Sequence, residues 1–130
     1  MTDELWILVW AAILGLVMVF LPVIAASTRE GYFQWNATSR EQPFDIGPMA
    51  GRLKRAHANF METFVVFAVV VLVLAVAHRT GPLSVWGSRI YLLGRVLYVP
   101  CYAFDIKGVR SLIYAVAFVG LVMCIAAIFV

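Results

Sequence analysis

Residues 5–27 read LWILVWAAILGLVMVFLPVIAAS and contain no charged side chain. About 20 apolar residues in a row are enough for a helix to cross the hydrocarbon core of a bilayer. Asp3 and Glu4 stand where a signal peptide has its basic residues, and the apolar stretch is longer than the core of a signal peptide. The segment is therefore predicted to be a membrane-spanning helix, in which Pro22 is tolerated near the end.

The whole chain shares this apolar composition. Of its 130 residues, 64% are hydrophobic and 13% are charged, and the mean hydropathy is +0.95. Soluble domains have about half apolar and about a quarter charged residues, and a chain this short has too much surface for its volume to bury the excess. The composition excludes a soluble monomer, a disordered chain and a disulfide-stapled secreted module.

Three more apolar segments follow along the chain. With the polar residues at their edges, the four segments predict helices at about 5–27, 52–78, 83–104 and 109–130. The last two connections are short, so the helices that they join are expected to be antiparallel. We therefore predict a single all-α domain over residues 1–130, an integral membrane protein folded as an antiparallel bundle of four transmembrane helices.

A long polar segment, residues 28–51, connects the first two predicted helices. Loops longer than about 12 residues are usually functional or disordered. Tyr32, Phe33 and Trp35 lie in this segment. Aromatic residues of this kind indicate a loop that packs on the bundle or lies at the membrane interface.

Lys and Arg are distributed unevenly between the two sides of the predicted bundle. With four spans, one side holds Arg29, Arg40, Arg52, Lys54, Arg55, Lys107 and Arg110. The other side holds Arg79 and Arg89. The positive-inside rule places the more basic side in the cytoplasm and both termini outside it. The net charge of +3 provides no basic face large enough for nucleic acid, so no nucleic-acid partner is predicted.

Polar residues form one face on each of the last three predicted helices. These residues are Arg55, Asn59 and Glu62 on the second helix, Arg95, Tyr98 and Tyr102 on the third, with Tyr91 extending the row, and Arg110 and Tyr114 on the fourth. Their spacing of three or four residues places them on a common helix face, whereas His57 points elsewhere. Because all three faces lie near the cytoplasmic side, they are expected to converge at one depth in the cytoplasmic leaflet.

The chemistry of these residues suits a small zwitterion with more than one carboxylate. Arginines bind carboxylates through paired hydrogen bonds, Glu62 can accept from an ammonium group, and tyrosine hydroxyls and Asn59 add donors and acceptors. Structural interpretations of the same residues stay open. Glu62 and Arg95 can form an ion pair between two helices. The basic residues at the start of the second helix can anchor it on the cytoplasmic side; these are Arg52, Lys54 and Arg55. The tyrosines can form an aromatic belt at the membrane interface.

Residues 55–63 (RAHANFMET), 94–98 (GRVLY) and 110–114 (RSLIY) resemble motifs of the membrane-associated proteins in eicosanoid and glutathione metabolism. That superfamily includes microsomal glutathione transferases, microsomal prostaglandin E synthase and leukotriene C4 synthase. The resemblance implies a left-handed four-helix bundle assembled as a homotrimer. It also implies glutathione as a co-substrate, bound between neighbouring subunits in the cytoplasmic leaflet.

The resemblance assigns roles to individual residues. By motif match, the glutathione-binding residues are Arg55, Asn59, Glu62, Tyr98, Tyr102 and Tyr114. Arg95 is added to them as a carboxylate donor, on the chemistry of its side chain. Arg29, at the end of the first helix, is a further candidate by position alone. Arg110 matches the arginine that stabilises the glutathione thiolate, and Ser111 beside it is the alternative catalytic residue.

The activity that the resemblance implies is attack by the glutathione thiolate on an apolar electrophile or a lipid hydroperoxide that arrives through the bilayer. Conjugation, peroxide reduction and isomerisation are all compatible with it.

No metal is predicted, because no cluster of Cys, His and Asp has ligand spacing. Cys101 and Cys124 are expected to be small side chains in apolar segments. The lack of a basic tail and of an endoplasmic-reticulum retention signal favours a bacterial inner membrane over the endoplasmic reticulum.

The sequence also departs from the family pattern. Phe60 stands where many members have Asp, Ala58 stands where some have Arg, and Asp105 can compete for Arg110. Two other function classes therefore stay open. One is a small four-helix transporter that uses Glu62 as a cation site, although the surrounding arginines oppose such a site. The other is a non-catalytic membrane scaffold in which the arginines and tyrosines serve subunit packing.

Overall fold

The chain forms helices and no strands in the computed structural model, which describes all 130 residues. The helices are α1 (Asp3–Ala26), α2 (Tyr32–Asn36), α3 (Pro48–Val76), α4 (Pro82–Ala103) and α5 (Val109–Phe129). This confirms the predicted all-helical fold class. The count of four membrane spans and the homotrimer stay predictions.

Three of the four long helices, α1, α3 and α5, are long and apolar enough to cross a membrane. Helix α4 is less apolar and carries Arg89 and Arg95. Only 29 of the 130 residues are buried, and large apolar side chains such as Trp10 and Leu112 are exposed. An outer surface of this composition must face another apolar medium, which fits an integral membrane protein.

The start of α3 lies at Pro48, ahead of the start at about 52 that the sequence predicts. Proline suits the first turn of a helix, where its missing N–H has no helical partner. Gly47 precedes it with a φ of 89°, a backbone conformation that glycine adopts without a steric penalty. The positive φ therefore favours glycine here, and a Cβ atom would also lie 2.6 Å from Nη2 of Arg29, so that the flexible end of that side chain would have to move.

The segment between α1 and α3 contains the short helix α2 and packs on the bundle. Trp35 stacks on Phe44 with 5.4 Å between ring centroids, and its indole N–H donates to the carbonyl oxygen of Gln42 at 2.6 Å. Tyr32 is buried with Ala26 of α1 and Ala50 of α3. The aromatic residues therefore hold this segment against the end of α1 and the start of α3.

Small residues allow the helices to approach closely at two places. Between α4 and α5, a Cβ atom at Gly87 would lie 2.7 Å from the carbonyl oxygen of Gly120. Between α1 and α3, a Cβ atom at Gly15 would lie 2.9 Å from Cε1 of Phe60. Close approach at small residues is typical of helix packing in membranes. Because Gly15 has no side chain, the Phe60 ring packs against it in the interior.

Candidate functional site

Side chains from three helices meet at Tyr102, near the end of α4. Nε of Arg55, on α3, donates a hydrogen bond to the Tyr102 hydroxyl at 3.3 Å. The guanidinium of Arg110, on α5, lies 4.8 Å from the centroid of the Tyr102 ring. The start of α3, the end of α4 and the start of α5 are therefore in contact at this end of the bundle.

Arg95 lies deeper in the same region and is almost fully enclosed, with 1% of its surface exposed. Its guanidinium carbon is 4.5 Å from the ring centroid of Tyr98, 5.5 Å from that of Phe60 and 5.7 Å from that of Tyr114. None of its three guanidinium nitrogens has a hydrogen-bond partner. Contact with aromatic faces offsets part of the cost of burying a cation, but five N–H donors are left free to bind an acceptor.

Aromatic contacts connect Arg95 to the two outer arginines. The Tyr98 ring lies 5.5 Å from that of Tyr102 and 6.1 Å from that of Tyr114, measured between centroids. We refer to the resulting group as the arginine–tyrosine site; it consists of Arg55, Arg95, Tyr98, Tyr102, Arg110 and Tyr114. All six are residues that the sequence analysis selected.

The structure does not contain the ion pair between Glu62 and Arg95 that was considered as a structural alternative. Arg95 turns into the aromatic rings around it, whereas Glu62 is exposed on α3 and forms no ion pair within the chain. Asn59 lies one turn before Glu62, and its buried Oδ1 atom has no hydrogen-bond partner. This face of α3 thus presents unsatisfied polar atoms.

Arg29 and Ser111, two further predicted site residues, form no side-chain hydrogen bond or ion pair with the arginine–tyrosine site. Arg29 lies beside Gly47 and pairs with Asp45 at 3.9 Å in the segment between α1 and α3. Ser111 is exposed and forms no side-chain hydrogen bond in the chain. Within a single chain, the assignment of these two residues to the site stays a prediction.

Asp105 contacts Arg110, as the sequence indicated that it could. The two side chains form an ion pair at 3.6 Å, and both are partly exposed. Asp105 adopts a positive φ of 54° in the turn between α4 and α5. The guanidinium that the resemblance assigns to thiolate stabilisation therefore already has a carboxylate neighbour.

Arg52, Thr63 and Phe60 also build the region, although the sequence analysis did not place them among the site residues. Arg52 donates from Nε to the carbonyl oxygen of Ala103 at 2.8 Å and so joins α3 to the end of α4. The Thr63 and Tyr91 hydroxyls share a hydrogen bond of 3.0 Å. Arg52 and Thr63 extend the polar face of α3 in both directions at helical spacing, a signal that was present in the sequence. The position of the Phe60 ring beside Arg95 had no such signal.

A second charged side chain is buried at the other end of the bundle. Glu4, at the start of α1, is 1% exposed and accepts a hydrogen bond from the hydroxyl of Ser84, at the start of α4. Ser88 donates to the Ser84 carbonyl oxygen, and the unpaired thiol of Cys124 lies 3.8 Å from the Ser88 hydroxyl. We refer to these residues as the Glu4 cluster.

Comparison with known proteins identifies the family. The family model described as the MAPEG family matches residues 7–130, essentially the whole chain. Searches of curated proteins and of solved structures gave no match. The match covers α3, α4 and α5 completely, together with every residue of the arginine–tyrosine site. The chain belongs to the MAPEG family, the membrane-associated proteins in eicosanoid and glutathione metabolism.

Proposed function

We propose that the protein is a membrane-bound glutathione transferase and that the arginine–tyrosine site binds glutathione. Membership of a family that includes glutathione transferases supports this activity. The observation that carries the proposal is the guanidinium of Arg95, which is buried and has no hydrogen-bond partner. A buried unpaired cation is costly, and a bound carboxylate would satisfy it.

The remaining groups match the other parts of glutathione, which has two carboxylates, one ammonium group, two amides and a thiol. Arg55 and Arg95 are suited to the carboxylates, since guanidinium groups bind them through charge-assisted hydrogen bonds. The free Oδ1 of Asn59 is an acceptor for an amide N–H. Glu62, exposed and without an ion pair in the chain, is an acceptor for the ammonium group.

The catalytic step that we propose is attack by the glutathione sulfur. Arg110, with Ser111 beside it, would lie near the thiol and favour its deprotonation, because a neighbouring cation stabilises a thiolate. Electrostatic stabilisation of this kind is stronger in a site that excludes water. The thiol proton would leave to solvent.

At carbon, the thiolate would displace a leaving group as its anion, or add to an activated double bond that then takes up a proton. With a lipid hydroperoxide, the thiolate would attack the terminal oxygen and break the O–O bond, which releases the lipid alcohol after protonation and leaves glutathione sulfenic acid. A second glutathione would convert the sulfenic acid to glutathione disulfide and water.

The electrophile is proposed to enter from the bilayer. Leu112 and Val116 follow Arg110 on α5, and both are exposed large apolar side chains. They provide an apolar surface next to the proposed thiolate position, along which a hydrophobic substrate can approach. We further propose that the protein forms a homotrimer with the site on the cytoplasmic side of a bacterial inner membrane. The basic residues near this end of the bundle support that orientation.

Thiol ionisation tests the proposed role of Arg110. Purified protein is mixed with glutathione at neutral pH, and the ultraviolet absorbance of the thiolate is measured by difference. We expect a thiolate signal with the unchanged protein and a signal at the level of free glutathione with Arg110→Ala.

Arg79→Ala is the matched control, because Arg79 is an exposed arginine that bonds only to the carbonyl oxygen of Val130. It is expected to keep the full signal. Equal signals from the two variants would exclude Arg110 as the stabilising residue. Absence of any signal from the unchanged protein, when calorimetry also detects no glutathione binding, would exclude the proposed activity and favour the scaffold interpretation.

A further inference from the structure

A cavity of about 550 Å³ lies between α1, α2 and the start of α3, on a different face of α3 from the arginine–tyrosine site. It is lined by 12 residues, none of which is acidic. Lys54 and His57 line it from α3, whereas Arg55 between them reaches Tyr102 on α4. Each residue turns a helix by about 100°, so His57 lies on the side nearly opposite Arg55.

The walls of the cavity differ in chemistry. Met18, Val19, Pro22 and Val23 of α1 form an apolar wall. The basic residues Arg40, Lys54 and His57 also line the cavity. Neither Lys54 nor His57 has a hydrogen bond or an ion pair within the chain. The side chains of Lys54 and His57 are therefore free to bind an anionic group beside an apolar surface.

The apolar wall continues onto the outer surface of the bundle. Val19 lines the cavity and is also 45% exposed, and its neighbour Phe20 is exposed on the same helix. Tyr32 and Trp35, which also line the cavity, are residue types enriched at the headgroup level of membranes. The cavity therefore brings together apolar, aromatic and basic groups, the kinds of group that contact a lipid at the membrane interface.

We infer that this cavity binds the headgroup of an anionic phospholipid from the surrounding bilayer. The phosphate contacts Lys54 and Arg40, His57 adds a further donor, and the first carbons of an acyl chain lie against Val19 and Val23. The charge of the lining opposes a cationic occupant, and the exposed apolar side chains of Val19 and Phe20 beside the cavity favour a lipid over a soluble anion. Within one chain, the cavity shares no residue with the arginine–tyrosine site.

Tryptophan fluorescence tests the inference in the full-length protein. Trp6, Trp10 and Trp86 are each replaced by Phe, so that Trp35 in the cavity wall is the only tryptophan and can be excited selectively over the tyrosines. The protein is placed in nanodiscs with phosphatidylglycerol or phosphatidylcholine brominated near the headgroup end of one acyl chain. We expect stronger quenching by the anionic lipid at equal mole fraction.

Variants that each remove one positive charge test whether the lipid binds at the cavity. Lys54→Gln is expected to lower the apparent affinity for brominated phosphatidylglycerol about fivefold, the effect of losing one cation next to an anionic lipid. Arg40→Gln, in the exposed loop, is expected to act in the same direction and serves if Lys54→Gln does not fold. Lys107→Gln, which removes the only other lysine and lies outside the cavity, is expected to have no effect.

Several outcomes would overturn the inference. Equal quenching by the anionic and the zwitterionic lipid would exclude a site selective for the phosphate charge. Equal losses from Lys54→Gln and Lys107→Gln would indicate general surface electrostatics. Full competition by inorganic phosphate or by water-soluble glycerol phosphate would assign the cavity to a soluble anion instead of a lipid.

Discussion

The bundle buries one charged side chain near each end, and the two side chains differ in their hydrogen bonding. In the Glu4 cluster, the carboxylate accepts a hydrogen bond from Ser84, and neighbouring hydroxyl and thiol groups bond to one another. In the arginine–tyrosine site, the guanidinium of Arg95 contacts only aromatic rings and has no acceptor. Both side chains are 1% exposed, so burial alone does not distinguish them.

Under the proposed function, this difference distinguishes a structural charge from a ligand-binding one. Buried polar groups in folded proteins are normally hydrogen-bonded, and each exception requires an explanation. The Glu4 cluster satisfies that rule within the chain and fastens α1 to α4. Arg95 breaks the rule in the one region where α3, α4 and α5 bring several polar side chains together. The missing acceptor is therefore expected from a ligand.

The largest expected effect comes from Arg95→Met, which keeps an extended apolar side chain and removes the charge. We expect glutathione to bind about 30-fold more weakly or worse, because one partner of a buried charge pair contributes about 2–5 kcal/mol or more to binding. Thermal stability of the free protein is expected to stay the same or rise, because an unpaired buried charge has been removed. Calorimetric titration and circular dichroism measure the two effects.

Arg89→Met is the control for this variant, since Arg89 lies on the same helix but is exposed and pairs with Asp3 at 3.4 Å. Arg89→Met is expected to change neither the glutathione affinity nor the thermal stability appreciably. A marked loss of thermal stability in Arg95→Met with unchanged glutathione binding would show that Arg95 is a packing residue.

The next effect concerns the Glu4 cluster. Ser84→Ala leaves the Glu4 carboxylate buried without its donor, and we expect the free energy of unfolding to fall by about 1–3 kcal/mol. Glutathione affinity is expected to stay unchanged. Thermal unfolding in detergent measures the change, with Ser39→Ala in the exposed loop as the control. A change in glutathione affinity without a change in stability would contradict the division between the two ends.

The smallest effect concerns the competition for Arg110. Asp105→Asn removes the carboxylate that pairs with Arg110, and we expect glutathione affinity to rise by a factor of about 1.4 to 5, in line with the about 0.2–1 kcal/mol of a partly exposed ion pair. Asp3→Asn, which releases the exposed Arg89 at the other end, is the control. If both variants raise the affinity equally, the effect is a general change in net charge.

Hydropathy and residue spacing predicted much of the molecule. The uncharged segment at 5–27 corresponds to α1, and the apolar composition reflects an outer surface that is largely apolar. The helical spacing of Arg95, Tyr98 and Tyr102 placed them on one face, and the structure joins that face to Arg55 and Arg110. Regular spacing is sufficient here because a helix face depends only on local geometry.

Other features depend on contacts between distant residues, which spacing does not reveal. Helix α2 has only five residues, and it is held by aromatic packing with Phe44 rather than by an apolar period of its own. Charge pairing suggested Glu62 as a partner for Arg95, but the side chain turns instead towards Phe60, Tyr98 and Tyr114. The orientation of the Arg95 side chain depends on how aromatic rings from three helices pack together.

The contact between Gly15 and Phe60 has a consequence for how this chain can diverge. The Phe60 ring occupies the volume that any larger residue at position 15 would need. Residues 15 and 60 are therefore expected to change together among relatives, with glycine retained where position 60 is aromatic. In this chain, Phe60→Asp would empty that volume and place a carboxylate beside Arg95. The acceptor that Arg95 lacks would then come from the protein itself, and position 15 would be free to carry a larger side chain.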